Sequence, residues 1–108
     1  MTDQQLLELA AKAAGYIEEF CPDGWTDDGP WRWYAEMKWN PLTDDGDALR
    51  LAVKLRFVVE PHKLDVWVCF SGNQFPVEEP HNGDPYAATR RAIVRAAAEI
   101  GKSMEVTK

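Results

Sequence analysis

The sequence has few cysteines, no long apolar run and no basic, apolar leader. Cys21 and Cys69 form no close-spaced motif, so we expect two reduced thiols and neither a disulfide framework nor a zinc site. The longest apolar runs, such as residues 66–70, are far shorter than the ~20 residues that cross a bilayer. The amino terminus carries no basic region before an apolar one. These absences predict a cytoplasmic protein without a signal peptide or membrane span.

Basic residues are outnumbered by acidic ones. Lys and Arg total 12 and Asp and Glu total 18, which gives a net charge of -6. Broad binding to a nucleic-acid backbone depends on many Lys and Arg contacts, and anionic membranes attract basic segments, so both partners are disfavoured. The 45% of apolar and 28% of charged residues are typical of a globular chain. The length of 108 residues predicts a single domain, 1–108.

Three segments carry helix signals. Thr2 is a good N-cap for a helix over about 3–14, and Gly15 is a suitable residue to end it. Asp44 can cap a second helix that continues from residue 48 to about 56. The third and clearest helix starts after Asp84 with a proline in the first helical position and runs to about residue 101 or beyond.

Strand signals lie between the helices. Alternating or β-rich segments predict a strand over 31–39, a hairpin formed by 57–59 and 66–70, and a short strand over 74–78. Pro76 marks this last strand as an edge strand. The element order predicts an α+β fold, a layered α/β/α sandwich with three helices and an antiparallel sheet of about three to five strands.

Residues 6–15, 39–52 and 84–97, which include most of the three predicted helices, resemble the phage ABA-sandwich domain family. These are small proteins of phages and prophages. The resemblance implies a layered α/β/α arrangement and a phage origin, and hence the cytoplasm of an infected bacterial host. It implies no activity and carries over no catalytic residue, because the family has no agreed biochemical role.

Arg90 lies on a predicted core-facing stripe of the last helix. At 100° per residue the stripe also contains Tyr86, Ile93, Ala97, Ile100 and Met104. A guanidinium on such a stripe must be paired, because an unpaired buried charge is costly. One interpretation is a structural ion pair with a carboxylate near the Asn-Pro turn at residues 40–41, for instance Asp44 or Asp47. The other is a cleft arginine that recognises a phosphate or carboxylate of a ligand.

Acidic and histidine clusters give weaker signals. Asn40, Asp44, Asp45 and Asp47 supply oxygen ligands, but the EF-hand pattern is missing and helix capping explains the acids more simply. His81 follows Glu78 and Glu79 closely, either as an acid–base pair or as part of a solvated loop. No nucleophile elbow or phosphate-binding glycine loop is present. We therefore predict no catalytic residue, no bound metal and no cofactor.

Tryptophans are the most informative residues for function. Trp25, Trp31, Trp33 and Trp39 fall within fifteen positions. Trp33 and Trp39 fit a core strand face, whereas Trp25 and Trp31 lie beside turns and acids, where a large ring is hard to bury. Exposed indoles beside arginines are typical of a surface that stacks on bases.

The first functional prediction is a non-enzymatic phage protein that sequesters a nucleotide-type immune signalling molecule and so counters bacterial defence. A homo-oligomer with pockets shared between chains would fit a ligand binder of this size. The alternative is a protein-binding inhibitor of a host or defence complex, whose acidic surface mimics DNA. A small-nucleotide hydrolase ranks third. The predicted ligand-binding residues are Trp25, Trp31, Arg32, Trp33, Asn40, Arg90 and Arg91.

Overall fold

Residues 2–15, 39–70 and 76–106 are described by a computed structural model of the chain, with side chains as far as Met104. The elements are α1 (Asp3–Ala13), α2 (Asp45–Lys54), β1 (Val58–Pro61), β2 (Asp65–Cys69), β3 (Val77–Pro80) and α3 (Pro85–Val106). The strands form an antiparallel sheet in the order β1-β2-β3. The predicted α+β fold is confirmed, and the packing is consistent with a layered α/β/α arrangement.

Helix α1 begins and ends where its sequence predicts. The hydroxyl of Thr2 accepts a hydrogen bond from the backbone N–H of Gln5 at 3.2 Å, and the Gln5 side chain accepts one from the backbone N–H of Thr2 at 2.8 Å. This reciprocal pair satisfies two of the donors that a helix start leaves open. Gly15 follows the helix with φ +76°, a conformation that glycine adopts without strain.

Aspartates cap the other two helices as predicted. Asp44 accepts a hydrogen bond from the backbone N–H of Asp47 at 2.8 Å, and Asp84 accepts one from the backbone N–H of Ala87 at 3.1 Å. Each carboxylate also lies near the positive end of the helix dipole. Helix α3 extends five residues beyond Gly101, to Val106.

Small side chains form the contact between α1 and α3. Gly101 of α3 lies so close to α1 that a Cβ atom built on it would be 2.1 Å from the carbonyl oxygen of Leu9. Fully or nearly fully buried alanines occupy both helices: Ala10, Ala11, Ala14, Ala92, Ala96, Ala97 and Ala98. Because these side chains are short, the two backbones can approach more closely than larger residues would allow.

The sheet has one buried face and one face that is partly open to solvent. Val66 and Val68 of β2 are fully buried and belong to the core shared by the three helices. Asp65, Trp67 and Cys69 alternate with them and therefore point to the opposite face. Cys69 is a free, half-buried thiol.

Several local predictions differ from the structure. The strand placed at 74–78 is β3 at Val77–Pro80, which is an edge strand among the three strands that the structure describes. Trp39, expected to end a strand, lies outside any strand and is half-buried against the core. Residues 31–38 of that prediction lie outside the described residues. Pro76 immediately precedes β3, but a proline there does not fix the first residue of the strand. The backbone pairing with β2 fixes it.

The predicted apolar stripe on α3 is buried only in its middle. Ile93 and Ala97 are in the core, whereas Tyr86 is 73% and Met104 is 41% exposed. The reason is length: a helix of 22 residues extends past the elements that cover it at each end. None of the described helices is long and apolar enough to cross a membrane.

Candidate functional site

The open face of the sheet carries an indole between two carboxylates. In the strand register, Trp67 of the central strand lies opposite Glu60 of β1 on one side and opposite Glu78 of β3 on the other. Directly paired residues share a face of the sheet. The two glutamates therefore flank the indole, with their Cα atoms about 10 Å apart across two strand spacings.

Two further side chains complete this cluster. The indole N–H of Trp67 donates a hydrogen bond to Asp65 Oδ2 at 3.2 Å. The ring centroid of His62, in the turn between β1 and β2, lies 4.8 Å from that of Trp67. His62 Nε2 is 3.4 Å from Glu60 Oε2, and Nδ1 is 3.3 Å from Asp65 Oδ1. We call Glu60, His62, Asp65, Trp67 and Glu78 the indole–carboxylate cluster.

The cluster is accessible from solvent. The side chains of Glu60, His62 and Asp65 are 37–48% exposed, Glu78 is exposed and Trp67 is half-buried. An indole face attracts cations through its quadrupole, and carboxylates attract them by Coulomb forces. This arrangement can therefore hold a positively charged group.

The cluster is not a metal site. Glu60 and Asp65 contact opposite nitrogens of the His62 ring, and a metal ion binds one of these nitrogens, so the three side chains do not converge on a point. Across residues 2–15, 39–70 and 76–106, no group of three or more His, Cys, Asp or Glu side chains could hold a metal ion.

Asn40, a predicted ligand-binding residue, shapes the turn before α2. Its side-chain oxygen accepts a hydrogen bond from the backbone N–H of Leu42 at 3.0 Å. Its carbonyl oxygen accepts from the backbone N–H groups of Thr43 and Asp44, and its own N–H donates to Asp47 Oδ2 at 3.0 Å. The acids that could have formed a metal loop instead cap the helix and this turn.

Arg90 holds the same turn against α3. Its Nε donates to the Leu42 carbonyl at 2.9 Å and its Nη1 to Asp45 Oδ1 at 2.5 Å. The predicted structural pair with a carboxylate near this turn is therefore present, and the acid is Asp45, not one of the two given as examples, Asp44 and Asp47. Those two aspartates face the start of α2 and Arg50 instead, because capping requires them there, and Asp45 is the acid left facing α3.

Arg91 borders a cleft between β3 and the start of α3. The cleft has a volume of about 210 Å³ and is lined by Glu79, Pro80, His81, Asn82, Asp84, Ala87, Ala88 and Arg91. Arg91 is 43% exposed and lies 3.3 Å from Asp3 and 3.9 Å from Glu79. Glu79, 15% exposed, also pairs with Arg95. The local charge of this cleft is therefore balanced or acidic.

The other four predicted ligand-binding residues, Trp25, Trp31, Arg32 and Trp33, lie outside the described residues. Sequence reasoning did not single out the indole–carboxylate cluster. Alternation along β2 already puts Asp65 and Trp67 on one face. The missing information was the register, which alone tells that Glu60 and Glu78 flank the indole.

Comparison with protein-family models, curated proteins and solved structures gives no match to this chain. The resemblance to phage ABA-sandwich domains stays a prediction, carried by residues 6–15, 39–52 and 84–97.

Proposed function

We propose that this chain is a non-enzymatic binding protein whose indole–carboxylate cluster takes a cationic side chain from a basic protein surface. The observation that carries the proposal is the placement of Trp67 between Glu60 and Glu78 on an open sheet face. Like charges that flank one ring repel each other, so a partner's positive charge stabilises the arrangement that the strand register imposes.

The charge of the whole chain supports the same class of partner. A net charge of -6 attracts basic proteins over a long range and speeds their encounter. In the phage setting that the sequence resemblance implies, the partner would be a host or defence protein of the bacterial cytoplasm. The basic surface of that partner would otherwise bind nucleic acid, so this chain would act as a DNA mimic.

Nucleotide capture, the function predicted first from the sequence, receives less support from the described residues. Arg90 is committed to Asp45 and Leu42. Arg91 lies beside Asp3 and Glu79, so a phosphate would meet carboxylates there. We retain nucleotide capture as the second proposal because the tryptophans predicted to stack on the base, Trp25, Trp31 and Trp33, lie outside the described residues. A thermal shift with one nucleotide of a panel, lost in Trp25→Ala, would support it.

The test of the first proposal uses a basic peptide of ten residues with alternating Arg and Gly. We expect binding measured by calorimetry in low salt, with amide shifts in NMR spectra centred on residues 58–69 and 77–80. Glu60→Gln with Glu78→Gln should weaken binding about five-fold, and Trp67→Ala by a similar factor. Binding should also weaken as salt is raised.

The matched control is Glu99→Gln. Glu99 is exposed on α3, the helix that packs on the buried face of the sheet, and its change lowers the net negative charge without touching the cluster. We expect a much smaller effect. A Glu99→Gln variant that weakens binding as much as the double variant Glu60→Gln with Glu78→Gln, or NMR shifts confined to other surfaces, would refute the proposed site.

A further inference from the structure

His62 lies beside the indole of Trp67 and between two carboxylates of the cluster. Its ring lies 4.8 Å from the Trp67 ring, at an interplanar angle of 49°. Its two nitrogens face Glu60 and Asp65 at 3.4 and 3.3 Å. The contact is supported by the backbone, because the His62 N–H donates to the Asp65 carbonyl at 2.8 Å and closes the hairpin turn.

We propose that His62 is a built-in, proton-controlled competitor for the cationic group of the partner. This inference rests on the proposed function of the cluster. When the imidazole is protonated, its own positive charge neutralises the carboxylates beside the indole. When it is neutral, the carboxylates remain uncompensated and attract the partner's cation.

The groups around His62 set the direction of this effect. Glu60 comes from β1 and Asp65 from β2, and Glu78 of β3 lies on the far side of Trp67. The basic residue next to the ring in sequence is Lys63, which is exposed in the turn. His81 follows β3 and donates its backbone N–H to Leu64 of the same turn at 3.0 Å.

Carboxylates are thus the charges that contact the ring directly, and protonation of His62 adds one positive charge at the point where a cation must bind. An imidazole changes charge in the range of pH 5 to 8. We therefore expect the affinity for the basic peptide to rise with pH across this range. Loss of protons from the carboxylates would change the affinity in the same direction, so a histidine variant is needed to separate the two contributions.

The experiment measures affinity for the alternating Arg and Gly peptide at pH 5.5 and pH 8.0. We expect wild type to bind about five-fold more weakly at the lower pH, the size of one exposed charge interaction. His62→Gln keeps all the carboxylates but cannot be protonated, so its two affinities should be nearly equal. His81→Gln, the matched control, should keep the wild-type pH dependence.

A partner-free measurement checks the contact itself. The NMR signal of the Trp67 indole N–H should shift as the imidazole titrates in wild type and in His81→Gln, but not in His62→Gln. Equal pH dependence of binding in wild type and His62→Gln would overturn the competitor role while leaving the binding site intact. Absence of peptide binding at both pH values in both proteins would overturn the proposed function instead.

Discussion

Arg90 Nη1 of α3 lies 2.5 Å from Oδ1 of Asp45, the first residue of α2, and the pair links two helices that are far apart in sequence. The same guanidinium donates to the Leu42 carbonyl, so it holds both the turn and the helix that follows it. The Arg90 side chain is 18% exposed, whereas that of Asp45 is 72% exposed. The two partners are therefore expected to differ in their contribution to stability.

We predict that Arg90→Ala lowers the free energy of unfolding by about 1–3 kcal/mol, because it leaves the Leu42 carbonyl without its donor. Asp45→Asn should cost less than about 1 kcal/mol, since an exposed carboxylate gains little from pairing. Urea unfolding followed by circular dichroism measures both. Equal stabilities of Arg90→Ala and wild type would show that the contacts of Arg90 with Leu42 and Asp45 contribute nothing to folding.

Gly101→Ala should destabilise the chain although alanine favours helices. The added methyl group would lie 2.1 Å from the Leu9 carbonyl oxygen, which is backbone and cannot move aside without separating α1 from α3. We expect the free energy of unfolding, measured by urea unfolding, to fall by about 1–3 kcal/mol. Gly46→Ala is the control, because its methyl group would meet side-chain ends of Arg50 and Asp44 at 3.2 Å. It should change stability by less than about 0.5 kcal/mol.

Arg56→Gly should stabilise the chain. Arg56 ends α2 with φ 58°, and the N–H groups of Arg56 and Phe57 donate to the carbonyls of Val53 and Ala52. This is the Schellman arrangement, in which glycine is the preferred residue at the position of Arg56. We expect the free energy of unfolding, measured by thermal unfolding, to rise by about 0.5–1 kcal/mol. Arg56→Ala, which keeps the Cβ atom, should give no such gain, and an equal gain in both variants would contradict the explanation.

Glu79→Gln should loosen the attachment of β3 to α3. Glu79 is 15% exposed and pairs with Arg91 and Arg95, which are themselves partly exposed. We expect a loss of about 1–2 kcal/mol, reduced by solvent screening of the two arginines. Glu78→Gln, one residue earlier on the open face, removes the same charge and should have little effect on unfolding by urea. Similar losses in both variants would indicate a general charge effect.

The sequence was sufficient wherever the decisive interactions are local. Thr2, Asp44 and Asp84 cap their helices as predicted, because a cap is satisfied by backbone N–H groups two or three residues away. Arg90 was correctly predicted to be paired, since burial of a lone charge is costly whatever the surrounding fold. The sequence placed its partner near the Asn-Pro turn but could not select Asp45, because the choice among three neighbouring aspartates depends on how α2 lies against α3.

The composition and local spacing of the chain by themselves determined the α+β class, the helix starts and the acidic character. Only the tertiary structure decided which side chains meet. Strand register placed Glu60 and Glu78 beside Trp67, the hairpin turn brought His62 beside the ring, and close helix packing left no room for a side chain at Gly101. The physical reason is that caps and turns are fixed within a few residues, whereas register and helix contact are fixed by burying one common core.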